Sequence, residues 1–531
     1  MTPHPWPPQR RPRAKSAPVI HFERTPRRDV NEGSSYHRIL KTSSVIAGAS
    51  MVNIVVGIVR MKVAAVILGP GGIGLVGLFQ NLIATAGSIA ALGTGTVGIQ
   101  RIAESTSTQG GGDALAVRRA LVWGTAALAA LGTFIFWLLR EPLAAVVVGD
   151  RSYATSVGWL ALGVAFTVLC GTQNALLAGM RRIRGIAVLN VASSLCSTLV
   201  GVVVLYLVGD KGIVAFVLAI PIVTFAIGLY LTARLPAATG TASLHRIATQ
   251  WNSMTRLGFL VMLASAAYGL SVLGMRSIVA HALGADALGH FHASWAISVV
   301  YAGLIFQAMG ADYHPRLASA LGDDARFNRT VNEQAEVLLL LAAPLLLAVL
   351  ALAPWIIRIA YSAEFGEAVT LLRWQVLGDV LKVASWPIGF VNLVTGDSRR
   401  YFVAEIVAST VLFTTAWICL PHFGLNATGV AFFVMNLAYL LVVARFAAHR
   451  TGFRWQSRVR TGFLLLLGAA FAVFASSYVS NAAAAIIGMG LALLFGWHAM
   501  VRISRMTTLA GRLGAVANYC RRLTVKSRGV G

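Results

Sequence analysis

The chain has 531 residues, of which 57% are hydrophobic and only 12% charged, yet its formal net charge is +25. A water-soluble globule of this length could not cover its surface with so few charges, since about a quarter of residues are ordinarily charged. The basic excess would suggest nucleic acid in a soluble chain, but here the placement of the bases along the sequence points to a lipid bilayer and excludes nucleic acid as the partner.

Residues 1–40 are rich in Pro and Arg and contain no apolar run before Val45, so they are no secretory signal and read as a disordered basic tail. Apolar runs then follow one another at 43–67, 74–98, 119–139, 155–178, 186–208, 212–232, 257–280, 288–312, 333–357, 370–394, 401–420, 425–444, 461–479 and 482–500. Each is long enough to cross a hydrocarbon core of roughly 30 Å, for which a helix needs about 20 residues. In lipid, backbone groups must be satisfied within the segment, so continuous apolar runs of this length are helices. The fold class expected is an all-α polytopic membrane protein with about fourteen transmembrane helices, the lengths being set by the bilayer. Residues 501–531 form a second basic tail with an amphipathic stretch at 509–516. The four cysteines, Cys170, Cys196, Cys419 and Cys520, form no CxxC pair, and neither a disulfide nor a metal site is expected.

Loop charge gives the direction. With both termini in the cytoplasm, the cytoplasmic segments hold 35 of the 44 Lys and Arg residues, and the opposite loops hold only Arg140, Arg151, Lys211 and Arg358. This asymmetry is the positive-inside signal, and one missed span would have scrambled it. The remaining five bases, Arg60, Lys62, Arg276, Arg373 and Lys382, fall inside predicted spans. A base there costs about 2.5–3.5 kcal/mol on insertion scales, so each needs a reason.

The chain repeats itself. LGPGGIG at Leu68–Gly74 recurs as LGADALG at Leu283–Gly289, 215 positions on, and the same offset relates Gly95 to Gly310 and Arg101-Ile102-Ala103 to Arg316-Leu317-Ala318. LLAGMRR ending at Arg182 resembles LVTGDSR ending at Arg399, at an offset of 217. Two six-helix bundles of like orientation are therefore expected, at 41–235 and 257–447, joined by a cytoplasmic linker at 236–256 and followed by two extra helices within 448–500. Parallel repeats place a substrate site between the halves, near the midplane.

The offset also sets Arg276 at the depth of Arg60 and Lys62, so helices 1 and 7 are expected to bring positive charge into one central cavity. Arg suits phosphate because its fork binds two oxygens. Lys62 and Arg276 lie close enough to helix ends to snorkel instead, as does Arg373. Asp379 and Lys382, counted with Arg60, Lys62 and Arg276 as substrate-binding residues of that cavity, share a helix face at i, i+3 and are expected to pair, either as a packing element or as an ion pair that opens when substrate or an ion binds. Asp312, Glu333, Glu336 and Glu405 are placed near cytoplasmic ends, interfacial or paired with loop arginines such as Arg316 and Arg329. Gln80, Asn81, Gln173, Asn174 and Gln307 are polar within spans; helix–helix hydrogen bonding is the plain reading, with Gln80, Asn81 and Gln307 as possible polar lining of the cavity. The glycines at 69, 71, 72 and 74 are expected to end helix 1 in a tight turn. No Lys-Ser/Thr follows them, which excludes a nucleotide loop.

WQVLGDVLKV at Trp374–Val383, with LGPGGIG, AMGADYHPRL at Ala308–Leu317 and GMRRIR at Gly179–Arg184, resembles the O-antigen and lipid III (enterobacterial common antigen) translocases, the Wzx-type flippases. The resemblance runs from about Ser43 to Arg450 and implies the multidrug/oligosaccharidyl-lipid/polysaccharide exporter fold, two bundles around a central cavity. It implies alternating access in a bacterial inner membrane, a polyprenyl-pyrophosphate-linked glycan as substrate, and pathway partners such as a polysaccharide polymerase and glycosyltransferases. No cofactor is expected; a proton, a sodium ion or the membrane potential would drive the cycle. The sequence departs from the family's usual twelve helices by the two at 461–500 and by the N-terminal tail. Peptidoglycan lipid flippases of the same superfamily also have fourteen helices, so a lipid II flippase and a small-molecule exporter are the competing readings. A membrane glycosyltransferase, ligase or polymerase is disfavoured, because the longest periplasmic loop carries no clustered catalytic pair.

Overall fold

The computed structural model describes residues 32–107, 111–236 and 241–506. Most of the N-terminal tail, the C-terminal stretch 509–516 and Cys520 lie outside the described residues, and the side chains of Gln307 and Asp312 also fall outside them. Every long element is helical. These are α1 (Glu32–Ala90), α2 (Thr94–Ser107), α3 (Gly111–Leu138), the single turn α4 (Arg140–Leu143), α5 (Ala154–Gly179), α6 (Ile183–Val208), α7 (Ile213–Ala233), α8 (Leu244–Ala318), α9 (Asp324–Ala360), α10 (Ala368–Val394), α11 (Ser398–Phe423), α12 (Asn426–Thr451), α13 (Ser457–Ser476) and α14 (Asn481–Met506).

Eleven apolar stretches are long enough to cross a membrane. Three of them, of 43, 51 and 46 residues, hold two crossings each. They are divided at Gly69 within α1, at Gly209 between α6 and α7, and at Gly284 within α8. The protein is thus a multi-pass membrane protein with fourteen crossings, six in each bundle and two in α13 and α14. Its outer faces fit lipid: Leu199, Tyr206, Leu464, Ile486 and Leu493 are all more than half exposed, which costs nothing in hydrocarbon and would be a liability in water.

The repeat is written in the backbone. Gly69 (φ 63°, ψ −172°) and Gly284 (φ 86°, ψ 179°) break their helices with the same conformation, 215 positions apart. Only a residue without Cβ occupies that region without strain. Gly209 (φ 61°, ψ −139°) and Gly424 (φ 54°, ψ −139°) close α6 and α11 in the same way at the same spacing. Arg181 and Gly396, also 215 apart, share a left-handed φ ahead of α6 and α11. The offset of 217 expected around Arg182 and Arg399 is therefore corrected to 215, because the turn geometry, not the resemblance of the letters, sets the register.

Several expected boundaries shift. The turn after helix 1 uses one residue, Gly69, and Pro70 already opens the next helical segment, where a missing N–H costs nothing. Gly71, Gly72 and Gly74 are helical and serve packing: a methyl group on Gly74 would lie 2.5 Å from the Ala285 carbonyl oxygen, and one on Gly71 would lie 3.6 Å from the Ala285 Cβ. The second crossing ends at Ala90 rather than at 98, where Leu92 and Gly93 adopt positive φ before α2 begins. The stretch 236–256 is helical from Leu244 and runs unbroken into the seventh crossing. Its Trp251 fills the space above Gly124 of α3, and Arg101 of α2 donates to Ser253 Oγ at 2.7 Å. The N-terminal tail is helical from Glu32.

The bundles meet along α1 and α8. Close approaches run from Pro70–Gly289 through Thr85–Gly269 to Gly93–Gly258, so the seam extends along the whole second crossing. The two extra helices dock on α9. Arg502 pairs with Glu336 at 3.1 Å, Gly488 lets α14 approach Ala351, and Asn332 accepts from the Gln456 backbone N–H at 2.8 Å.

Candidate functional site: paired polar cavities in the two bundles

Arg60 is 5% exposed and lies in the first bundle. Its Nη2 donates to the Phe216 carbonyl of α7 at 2.6 Å, its guanidinium lies 4.2 Å from the Phe216 ring centroid, and its Nε has no partner. No carboxylate neutralises it among the described residues. It borders a cavity of about 380 Å3 whose other polar walls are Asn53, Gln80, Asn190, Ser193 and Ser197. Ser193 Oγ and Asn53 Oδ1 are also buried without partners. Unsatisfied buried polar atoms are rare and costly, and clustering them around an arginine marks a space built for a polar occupant. Gly201 of α6 makes room for the Phe216 ring that packs on Arg60, a methyl group there lying 2.9 Å from it.

Arg276 does not open into that cavity. It is 3% exposed and packs against His292 Nδ1 (3.2 Å) and the Phe291 ring (5.1 Å) on the other arm of α8. Gly77 of α1 provides the space that both His292 and Arg276 fill. The expectation that Arg60 and Arg276 share one central space is therefore corrected for this conformation: the α1–α8 seam is closed over Arg276, whereas Arg60 turns toward α6 and α7.

Lys62 also turns away from Arg60, as two residues on a helix must. Its Nζ donates to the carbonyls of Arg358 (2.9 Å) and Tyr361 at the end of α9. A cation there satisfies orphan carbonyls and complements the negative helix end. Lys62 thus links α1 to the second bundle.

Asp379 is 1% exposed, and its Oδ2 accepts from Ser298 Oγ at 2.7 Å and Tyr301 Oη at 2.6 Å, while Oδ1 has no partner. The expected pair with Lys382 does not form: the two are beyond ion-pair distance, and the Lys382 ammonium instead faces the rings of Phe306 (5.8 Å) and Phe432 (5.9 Å). Arg373 is buried rather than snorkelling, and donates to Asn481 Oδ1 of α14 at 2.9 Å. Asn81 is partly buried with an unpartnered Oδ1, and Gln173 donates to the Phe225 carbonyl at 3.1 Å. Glu333 pairs with Arg316 at 3.5 Å, while Glu405 lies within the second bundle rather than at a loop arginine.

Lys382 and Glu405 line a second cavity, of about 450 Å3, with Tyr268, Trp386, Tyr401 and Tyr439. The two cavities correspond. Asn53, Asn190, Ser193, Ile220 and Thr224 of the first match Tyr268, Glu405, Ala408, Met435 and Tyr439 of the second, each 215 positions on. Sequence reasoning missed the tyrosines because they are common helix-face residues; carrying the repeat offset onto polar span residues would have found them.

A family of polysaccharide biosynthesis proteins matches residues 63–370. Lipid III flippases from Escherichia coli (strain K12) and Shigella flexneri are each 26% identical over 412 residues, covering 76% of this chain and 96% of theirs. Among solved structures, the lipid II flippase MurJ in an inward closed conformation superposes with a TM-score of 0.65 at 11% identity, over 86% of this chain and 98% of that one. An inward-facing multidrug resistance MATE family transporter of the MOP superfamily gives a TM-score of 0.64 at 15% identity, over 76% and 94%. These likenesses show the fold of polytopic transporters, and the match across more than half of the sequence shows that the chain belongs to the family of polysaccharide biosynthesis proteins.

Proposed function

We propose that the protein is a flippase for a polyprenyl-pyrophosphate-linked oligosaccharide, not an enzyme, and that it works by alternating access of its two bundles from the cytoplasmic to the opposite leaflet. The observation that carries this reading is Arg60, a buried guanidinium with no carboxylate partner at the wall of a cavity of hydroxyls and amides. Such a cavity favours an anion with further hydrogen-bonding groups, and a pyrophosphate bearing sugars has both. The lipid III flippase relatives support the same substrate class. Arg276, sealed in the α1–α8 seam, would join the path once the bundles separate. Export of a cationic small molecule, the second reading that the MATE likeness raises, is disfavoured by the positive sign of the first cavity.

Purified protein in liposomes should move a radiolabelled prenyl-pyrophosphate glycan between leaflets, and Arg60→Met should slow it at least about tenfold, the loss expected when one charge-assisted bond worth about 1.5–3 kcal/mol disappears. Full rates with stably inserted Arg60→Met protein would overturn the assignment of this cavity to the pyrophosphate.

A further inference from the structure

We infer that the second-bundle cavity is a saccharide subsite, which takes the sugar rings while the first-bundle cavity holds the anionic linkage; this rests on the proposed lipid-linked glycan substrate. The two cavities occupy equivalent places in the repeat, so one ancestral pocket has been given two chemistries. Where the first presents Asn53, Asn190 and Thr224, the second presents Tyr268, Glu405 and Tyr439. The arginine is absent from the repeat, where Met275 stands at the position equivalent to Arg60.

The exchange of small amides and hydroxyls for aromatic rings suits sugars. A pyranose has a face of polarised C–H groups and an edge of hydroxyls. Flat rings match the face, and charged or hydroxyl groups match the edge. Tyr268, Trp386, Tyr401 and Tyr439 supply the rings, and Lys382 and Glu405 the edge groups. Lys382 makes no hydrogen bond or ion pair among the described residues, so its N–H donors are free for a ligand. Among the described residues, Glu405 accepts a single bond, from Tyr439 at 3.4 Å. The wall is held rigid: Trp386 stacks on Phe306 with centroids 5.3 Å apart and packs on Phe390 at 4.7 Å, and Tyr313 donates to the Pro387 carbonyl at 2.7 Å. Gly389 leaves the room that the Tyr439 hydroxyl occupies, a methyl group there lying 2.9 Å from it.

The alternatives fit less well. Glu405 would repel a phosphate, and a prenyl chain would leave Lys382 and Glu405 buried against hydrocarbon. The volume of about 450 Å3 lies within the span of small-molecule sites. Tyr268 stands next to Gly269, which meets Thr85 of α1, so the cavity borders the seam between the bundles.

The full chain in nanodiscs separates the two sites by equilibrium binding of two probes, heptaprenyl pyrophosphate alone and the same lipid carrying N,N′-diacetylchitobiose. The glycosylated lipid should bind the wild type at least tenfold more tightly than the bare one. Tyr401→Ala and Lys382→Met should each abolish most of that advantage while keeping the bare lipid's affinity within twofold, which also reports that the variants are folded. Tyr439→Phe, which keeps the ring and loses the bond to Glu405, should lose less than Tyr401→Ala. Arg60→Met should weaken both probes alike. Equal binding of the two probes by the wild type, or variants that weaken both together, overturns the saccharide subsite and leaves the flippase reading standing; binding of neither overturns both.

Discussion

Lys62 and Arg60 show how two bases two residues apart take up different work. Arg60 is turned into its own bundle, where one carbonyl and one ring hold it at the wall of a cavity. Lys62 points the other way and caps α9 across the bundle boundary. Replacing Lys62 with Met strips two carbonyls of their donor, and the thermal unfolding of the purified protein should show a loss of about 1.5–3 kcal/mol, typical of bonds to a charged donor. An unchanged midpoint would show that the bridge contributes nothing to this conformation. Arg276, Asp379 and Lys382 were legible as buried charges, but their partners were not. A spacing of i, i+3 puts Asp379 and Lys382 on one face without deciding whether they touch, and Ser298, Tyr301 and two phenylalanine rings compete for them.

At the level of the elements, the glycine repeat sets how closely α1 and α8 approach. Gly69 and Gly284 break the helices, while Gly74 and Gly289 let the two segments touch through backbone atoms. A Cβ on Gly71 would stand 3.6 Å from that of Ala285, within the range of about 3.5–4.5 Å that a disulfide spans. In a cysteine-free background, Gly71→Cys with Ala285→Cys should therefore cross-link spontaneously on oxidation. The bond should arrest translocation in the liposome assay, and reduction should restore it. Failure to cross-link would mean that this end of the seam stays open in the membrane. The glycines were visible in the sequence as a motif; that Gly71 and Gly74 serve contact with α8 rather than a turn could be seen only when the partner segment was in place.

The whole molecule adds two helices to a twofold plan. α14 pairs Arg502 with the partly buried Glu336 and gives Arg373 its partner Asn481. Ending the chain before Ser457 would take Arg502 from Glu336 and Asn481 from the buried Arg373, and a hydrogen bond to a charged group is typically worth about 1.5–3 kcal/mol; detergent-extracted protein should then aggregate in size-exclusion chromatography, where the full chain stays monodisperse. The orientation expected from loop charge is tested with a membrane-impermeant maleimide. Ser152→Cys should label in cells whose outer membrane alone is permeabilised, and Ser319→Cys only after the inner membrane is broken. The opposite pattern would invert the topology.

The number of crossings, their two-bundle order and the repeat were already contained in the one-dimensional chain, because lipid demands apolar runs of fixed length and a duplication leaves a constant offset. Those signals are local or periodic, so they survive without knowledge of neighbours. What each buried side chain faces is a non-local property. The separation of Arg60 from Arg276, the capping of α9 by Lys62, and the matched cavities with opposite chemistry all follow from how α6, α7 and α8 pack around α1 and how α10, α11 and α12 pack around α8. Only the tertiary structure decides them, since a side chain on a helix has one direction and the fold chooses what stands there.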